Sequence, residues 1–125
     1  MGREEIKQSI VKLSKTFKNR PEAAKAVFRE QTEWVKNLQC TAKIRNFPPI
    51  TLNEPTNIGG EDTWLCNPVE LILAALSTCQ EIVYAAYASV LDIPLDSVKV
   101  NVKGYLDLQE LLSLDESVSP GYQEI

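Results

Sequence analysis

Three cysteines, Cys40, Cys66 and Cys79, and the complete absence of histidine set the chemistry open to this 125-residue chain. The nucleophilic form of cysteine is the thiolate, and here no imidazole can take its proton. Ser-His-Asp and Cys-His mechanisms are excluded, as is every histidine-based metal site. Activation of a thiol would fall to arginine, lysine, local dipoles or hydrogen bonds. Cys79 stands near the middle of "CNPVELILAALSTCQEIVYAAYASVL", Cys66 to Leu91, whose only charges are Glu70 and Glu81. Its chemistry is therefore either thiol redox chemistry or none.

At 100° per residue Cys79 shares a helix face with Ile72, Ala75, Leu76, Ile82, Val83 and Ala86, an apolar neighbourhood. Spacing alone leaves two readings open: a reactive thiol, or a packed, inert one whose pKa burial would raise. The helix dipole does not activate it, because Cys79 lies about three turns from the N-terminus and the effect fades within one turn. Cys66, just before the helix, is better placed for that dipole. The two are thirteen residues apart, about 20 Å along a helix axis. A disulfide needs Cα atoms within roughly 7 Å, so they cannot pair within one chain. Cys40 falls on the apolar face of a strand and reads as packing.

An odd number of widely spaced cysteines is not a secreted disulfide framework. "MGREEIKQSI" has no apolar signal core, so a cytoplasmic, reducing location is expected, and Gly2 begins a soluble helix rather than a lipidation signal. The net charge of −4 and pI near 4.9 argue against a nucleic-acid groove. No metal and no cofactor are expected. Gly59-Gly60 sits in no strand–GxGxxG–helix or Walker pattern and reads as a loop.

The elements that must position these residues fit one α+β domain over 1–125. Ile6, Ile10, Leu13 and Phe17 recur at helical spacing among charges, giving an amphipathic helix over 1–20. Strands are expected over 26–54. "VFREQTEWV" alternates loosely, and Lys36-Asn37 is a turn. Leu38, Cys40, Ala42 and Ile44 then share one face, against Gln39, Thr41, Lys43 and Arg45 on the other. "ITL" follows Pro48-Pro49 as a short strand. Asn67, Pro68 and Glu70 form an N-cap, a first-turn proline and a capping box, opening a central helix over 67–92 that Pro94 closes. Val98, Val100 and Val102 alternate with Lys99, Asn101 and Lys103, and Leu106 and Leu108 keep the register, so 97–108 reads as a strand. "QELLSLDESVSPG" is a loop with a helical turn, and "YQEI" begins another strand.

Gln80 and Glu81 interrupt the central helix where a membrane span should be most apolar, so no membrane is expected. A surface helix would carry a charged face, and this one has none. Apolar surface left in water is unfavourable by ~25 cal/mol per Å², so a second copy of the chain is expected to cover it.

"FPPITLNEPTNIGGEDTWLCNPVELILAALSTC", with "LDIPLDSVKVNVKGYLDL" and "DESVSPGYQEI", resembles the OsmC-like superfamily, the osmotically inducible protein C and organic hydroperoxide resistance proteins. The similarity runs from about Val27 to the last residue. It implies an OsmC-like fold, an antiparallel sheet packed around a long central helix in an intertwined homodimer, with a C-terminal segment of the family missing. It also implies a thiol peroxidase: a cysteine on the central helix, here Cys79, reduces an organic hydroperoxide or hydrogen peroxide and becomes a sulfenic acid.

The family assists that cysteine with an arginine and a glutamate. The glutamate directly follows the helix proline, where this chain has Val69. Glu70, one residue on and 180° from Cys79, is a weak candidate. Arg45 is the best arginine candidate and Arg29 the next. The family's resolving cysteine lies well C-terminal of the first, and neither Cys40 nor Cys66 matches it; if none exists, the resemblance implies regeneration by an external thiol. The alternative is a non-catalytic dimer that binds a small apolar ligand at the subunit interface, with Cys79 as lining.

Overall fold

The computed structural model describes residues 2–61 and 64–125. Met1 of the expected first helix, and Asp62 and Thr63 of the expected "NEPTNIGGEDT" loop, lie outside the described residues. The chain is α+β, with two helices and two small antiparallel sheets.

Helix α1 spans Arg3–Asn19. The Glu5 carboxylate accepts the Gly2 N–H at 3.0 Å, and acidic Glu4 and Glu5 suit the positive end of the helix dipole. Strands β1 (Glu30–Lys36), β2 (Gln39–Ile44) and β3 (Ile50–Leu52) form one sheet in chain order. Trp34 lies opposite Cys40, and Cys40 opposite Leu52. The first turn falls one residue later than expected, on Asn37-Leu38, where Asn37 takes a φ of 49°. Asparagine tolerates that left-handed backbone, and the Trp34 indole N–H donates to the Asn37 carbonyl at 2.8 Å. Ala42 and Leu52 form the small core of this sheet, while every residue of β1 is exposed.

Helix α2 spans Pro68–Val90. Its start follows the sequence logic: the Asn67 side chain accepts the Glu70 N–H at 2.8 Å, and the Glu70 carboxylate accepts the Asn67 N–H at 3.0 Å. Its end does not wait for Pro94. Asp92 turns left-handed at φ 58°, the Leu91 N–H reaches the Tyr87 carbonyl, and the Ile93 N–H reaches the Ala88 carbonyl at 2.9 Å. This is a Schellman-type stop with Asp in the place usually held by glycine.

The expected 97–108 strand becomes a ladder only at β4 (Tyr105–Leu106), which pairs with β5 (Tyr122–Glu124). Val98, Val100, Val102 and Leu106 are half-buried while Lys99, Asn101 and Lys103 are exposed, but the expected register breaks after Leu106, where Asp107 is half-buried and Leu108 exposed. What is missing is a neighbour, since a strand exists only as one member of a hydrogen-bonded pair.

The central helix is covered on one side only. Helix α1 packs on its C-terminal end, burying Ala88 and Ser89. The Lys7 ammonium pairs with Asp92, and the Arg3 guanidinium donates to the Ala88 carbonyl at 3.4 Å. Elsewhere large side chains face outward, Ile82 at 69% exposure and Tyr87 at 66%. By length and composition α2 could also cross a membrane.

Candidate functional site

Cys79 lies on the bare side of α2. The side the chain covers holds Leu73, Ser77, Glu81 and Ala88, each buried or half-buried. At 100° per residue, Ser77, Glu81 and Ala88 lie roughly 160–200° around the helix from Cys79. Cys79 itself is exposed, and so are Ile72, Leu76, Ile82 and Val83 of its own face. A thiol packed inside its own subunit is therefore not what one chain provides. The apolar neighbourhood read from spacing is present, and it is uncovered.

The other candidates are held elsewhere. Both functional groups of Glu70 serve the N-terminal cap, as described above, so its carboxylate is committed one helical turn or more before Cys79. Arg45, expected on the polar face of the strand, falls one residue past β2 in a left-handed turn, φ 49°, and its guanidinium lies 4.6 Å from the centre of the Phe47 ring. That is a cation–π contact on an exposed side chain. Arg29 precedes β1 and is exposed. Among the described residues, no hydrogen bond or ion pair joins Arg45, Glu70 and Cys79 to one another. Three residues chosen as one site occupy three local structures.

Cys40 is half-buried on β2. Cys66 is exposed, and its carbonyl accepts the Asn53 N–H at 3.2 Å, fastening the entry of α2 beside the end of β3. Among the described residues, no group of three or more Cys, Asp or Glu side chains gathers to hold a metal ion.

No protein-family model and no curated protein matches the chain.

Three relationships went unread in the sequence. The Glu81 carboxylate accepts the backbone N–H of Val100 at 3.1 Å, fixing the extended 97–104 segment against the covered side of α2. The Tyr122 hydroxyl donates to the Val69 carbonyl at 2.6 Å, and so ties β5 to the first turn of the helix. Asn53, 1% exposed, turns its side-chain oxygen to the Glu54 N–H at 2.8 Å, while the Asn67 side-chain N–H donates to the Glu54 carboxylate at 3.2 Å. A carboxylate inside an apolar helix, two residues from the cysteine, was the available signal for Glu81. Nothing local announces the other two.

Glu54, Asn67, Val69, Leu106, Asp107 and Leu111 also line a cavity of about 420 Å³ between the helix entry and the β4 segment. It does not include Cys79. Its charged lining residues, Glu54, Asp107 and Glu110, are all acidic, and the helix N-terminus beside it is already capped from within.

Proposed function

We propose that the chain is an OsmC-like redox protein, a thiol-dependent peroxidase that works as an intertwined homodimer with Cys79 as its nucleophile. The observation that carries this reading is the uncovered apolar face of α2 with the thiol at its centre. Such a face is costly in water, and a second copy burying it would place the thiol in an apolar interface suited to an organic hydroperoxide. The extended 97–104 segment without a ladder, and the β1 edge exposed along its whole length, are further surfaces that a second copy would pair.

In the reaction the Cys79 thiolate attacks the terminal oxygen of the hydroperoxide. The O–O bond breaks, the alkoxide leaves and takes a proton to become the alcohol, and the sulfur is oxidised to a sulfenic acid. An external thiol then attacks that sulfur, releasing water and leaving a mixed disulfide. A second external thiol frees Cys79 and departs as the oxidised disulfide. Within one chain Cys66 does not resolve Cys79, since thirteen residues separate them by about 20 Å at helical rise, and Cys40 sits on β2. The reductant belongs to the cytoplasm, the reducing compartment in which this chemistry would run.

One observation favours a second reading. Glu70 is spent on the helix cap and Arg45 on Phe47, so neither assists the thiol within its own chain. The alternative is a non-catalytic OsmC-like dimer whose interface binds a small apolar ligand, with Cys79 as lining.

Stopped-flow measurement of thiol loss with cumene hydroperoxide, wild type against Cys79→Ser, decides between them. Rapid, Cys79-dependent consumption with a dimedone-reactive intermediate is expected for the peroxidase. Equally slow consumption by both proteins sinks it and leaves the binding dimer. Recovery of the chain only in detergent would instead assign α2 to a bilayer, against Glu81 and its bond to Val100.

A further inference from the structure

The charge of this chain is sharply divided along its length. Residues 1–20 hold six Lys and Arg and only two Glu, a net +4, so the rest carries −8 within the whole-chain −4. At the other end, residues 104–125 hold five carboxylates and no Lys or Arg.

Each charged region also presents unburied apolar side chains. The N-terminal half of α1 is engaged: Ile6 and Ile10 are half-buried, and Lys7 and Arg3 are fastened to the end of α2. The same apolar stripe then runs on past its support. Leu13 is 50% exposed and Phe17 is 37% exposed. Lys12 and Lys18 stand beside them in sequence, about 100° round the helix to either side, and neither has an ion pair. The acidic counterpart is the turn-rich segment after β4. Leu111, Leu112 and Leu114 face solvent there, Leu111 at 67%. Glu110, Asp115 and Glu116 surround them. Among the described residues of one copy, no hydrogen bond or ion pair joins these two regions.

We propose that the outer half of α1 in one copy docks on the 107–116 segment of a second copy, leucine against the Leu13–Phe17 stripe and carboxylate against lysine. Both surfaces lack a partner, both are apolar with a charged rim, and the two rims are opposite in sign, the arrangement that steers and registers protein interfaces. An anionic membrane is a poorer occupant. Half of the α1 stripe is already turned onto α2, so the helix cannot lie flat in a bilayer, and the −8 body behind it would be repelled by anionic lipid. The inference rests on the homodimer reading only in taking the second chain to be another copy. It adds a contact distinct from the Cys79 face.

The test is a charge exchange in the full chain, read by sedimentation velocity and isothermal dilution. Lys12→Glu with Lys18→Glu is expected to weaken self-association about tenfold, as is Asp115→Lys with Glu116→Lys, because attractive exposed pairs become repulsive. Mixing the two variants should restore association, since each then offers the sign the other lacks. Circular dichroism of each variant alone establishes that α1 is intact. Unchanged self-association in both reversals, or loss without rescue on mixing, overturns the docking, as does binding of the wild type to anionic vesicles in place of itself. Ile82→Glu, on the Cys79 face, keeps the two readings apart. If it abolishes association while the charge exchange does nothing, the dimer stands and this contact falls.

Discussion

The Glu81 carboxylate and the Val100 backbone N–H, 3.1 Å apart, hold the 97–104 segment, which joins no sheet among the described residues, to the covered side of α2. Glu81 is half-buried, and its bond does for Val100 what a neighbouring strand would otherwise do. Removing the acceptor leaves a part-buried N–H unpaired. Glu81→Ala should therefore destabilise the fold by about 1–2 kcal/mol, and Glu81→Gln, which keeps an oxygen there, by less. Urea denaturation of the three proteins checks this, and equal loss in Ala and Gln variants would show that the charge, not the bond, matters.

The entry of α2 makes a second case. Asn67 caps Glu70 and also donates to Glu54, so Asn67→Ala loses both bonds and should cost about 1–2 kcal/mol. Glu70→Ala should cost less, because it removes only the return bond to the Asn67 N–H. If Glu70 acts in the cap alone, peroxide consumption per folded molecule stays unchanged in Glu70→Ala. A fall in rate with unchanged stability would return it to the site.

How much of this was legible in sequence depends on how local each feature is. The Asn67-Pro68-Glu70 start of α2 was readable, because a cap is set by residues a few positions apart; β2 was readable as a strand, but its burial alternates only over Ala42, Lys43 and Ile44, and Leu38 of the expected apolar face lies exposed in the turn. The 97–108 strand was readable as a side-chain pattern but not as a ladder, since pairing depends on a second segment the pattern does not name. Arg45 was misplaced for a related reason. Its left-handed turn sends it to Phe47, and a strand register counted by twos carries no warning of where the strand stops. The composition of α2 gave reason to expect more apolar surface than one chain covers, yet not which side its own chain would cover.

Asp92 supplies a pH dependence. The Lys7 ammonium, first as a hydrogen-bond donor and then as a charge, holds its carboxyl below the ordinary value of 3.8. A carboxylate depressed in the folded state contributes stability that is present above the unfolded pKa and lost as pH falls through the folded one. The difference in stability between wild type and Lys7→Met should thus be constant near neutrality and vanish as the pH is taken below 3.8. Because the pair is exposed, it should also shrink in high salt. A difference that persists in acid would assign the effect to packing of the Lys7 stem.

Close approach at Gly104 gives the sharpest mutational prediction. A Cβ there would stand 2.4 Å from Cε1 of Tyr122, and that ring is pinned at its far end by the 2.6 Å bond from its hydroxyl to the Val69 carbonyl. Tyr122→Phe should cost about 1 kcal/mol, the ordinary net contribution of one such bond. Gly104→Ala should cost more, about 1–3 kcal/mol, because the ring cannot move aside without breaking that bond. The two are therefore coupled. In the double variant Gly104→Ala with Tyr122→Ala the clash is gone, so its loss should be smaller than the losses of Gly104→Ala and of Tyr122→Ala measured singly and added. The contrast is Gly60, where a Cβ would fall 1.5 Å from the Glu54 carbonyl oxygen. That obstacle is backbone, with no side chain to trim, so Gly60→Ala should resist rescue by any substitution at Glu54. Thermal unfolding of the four Gly104 and Tyr122 proteins measures the coupling, and strict additivity would mean that the ring and the glycine do not meet.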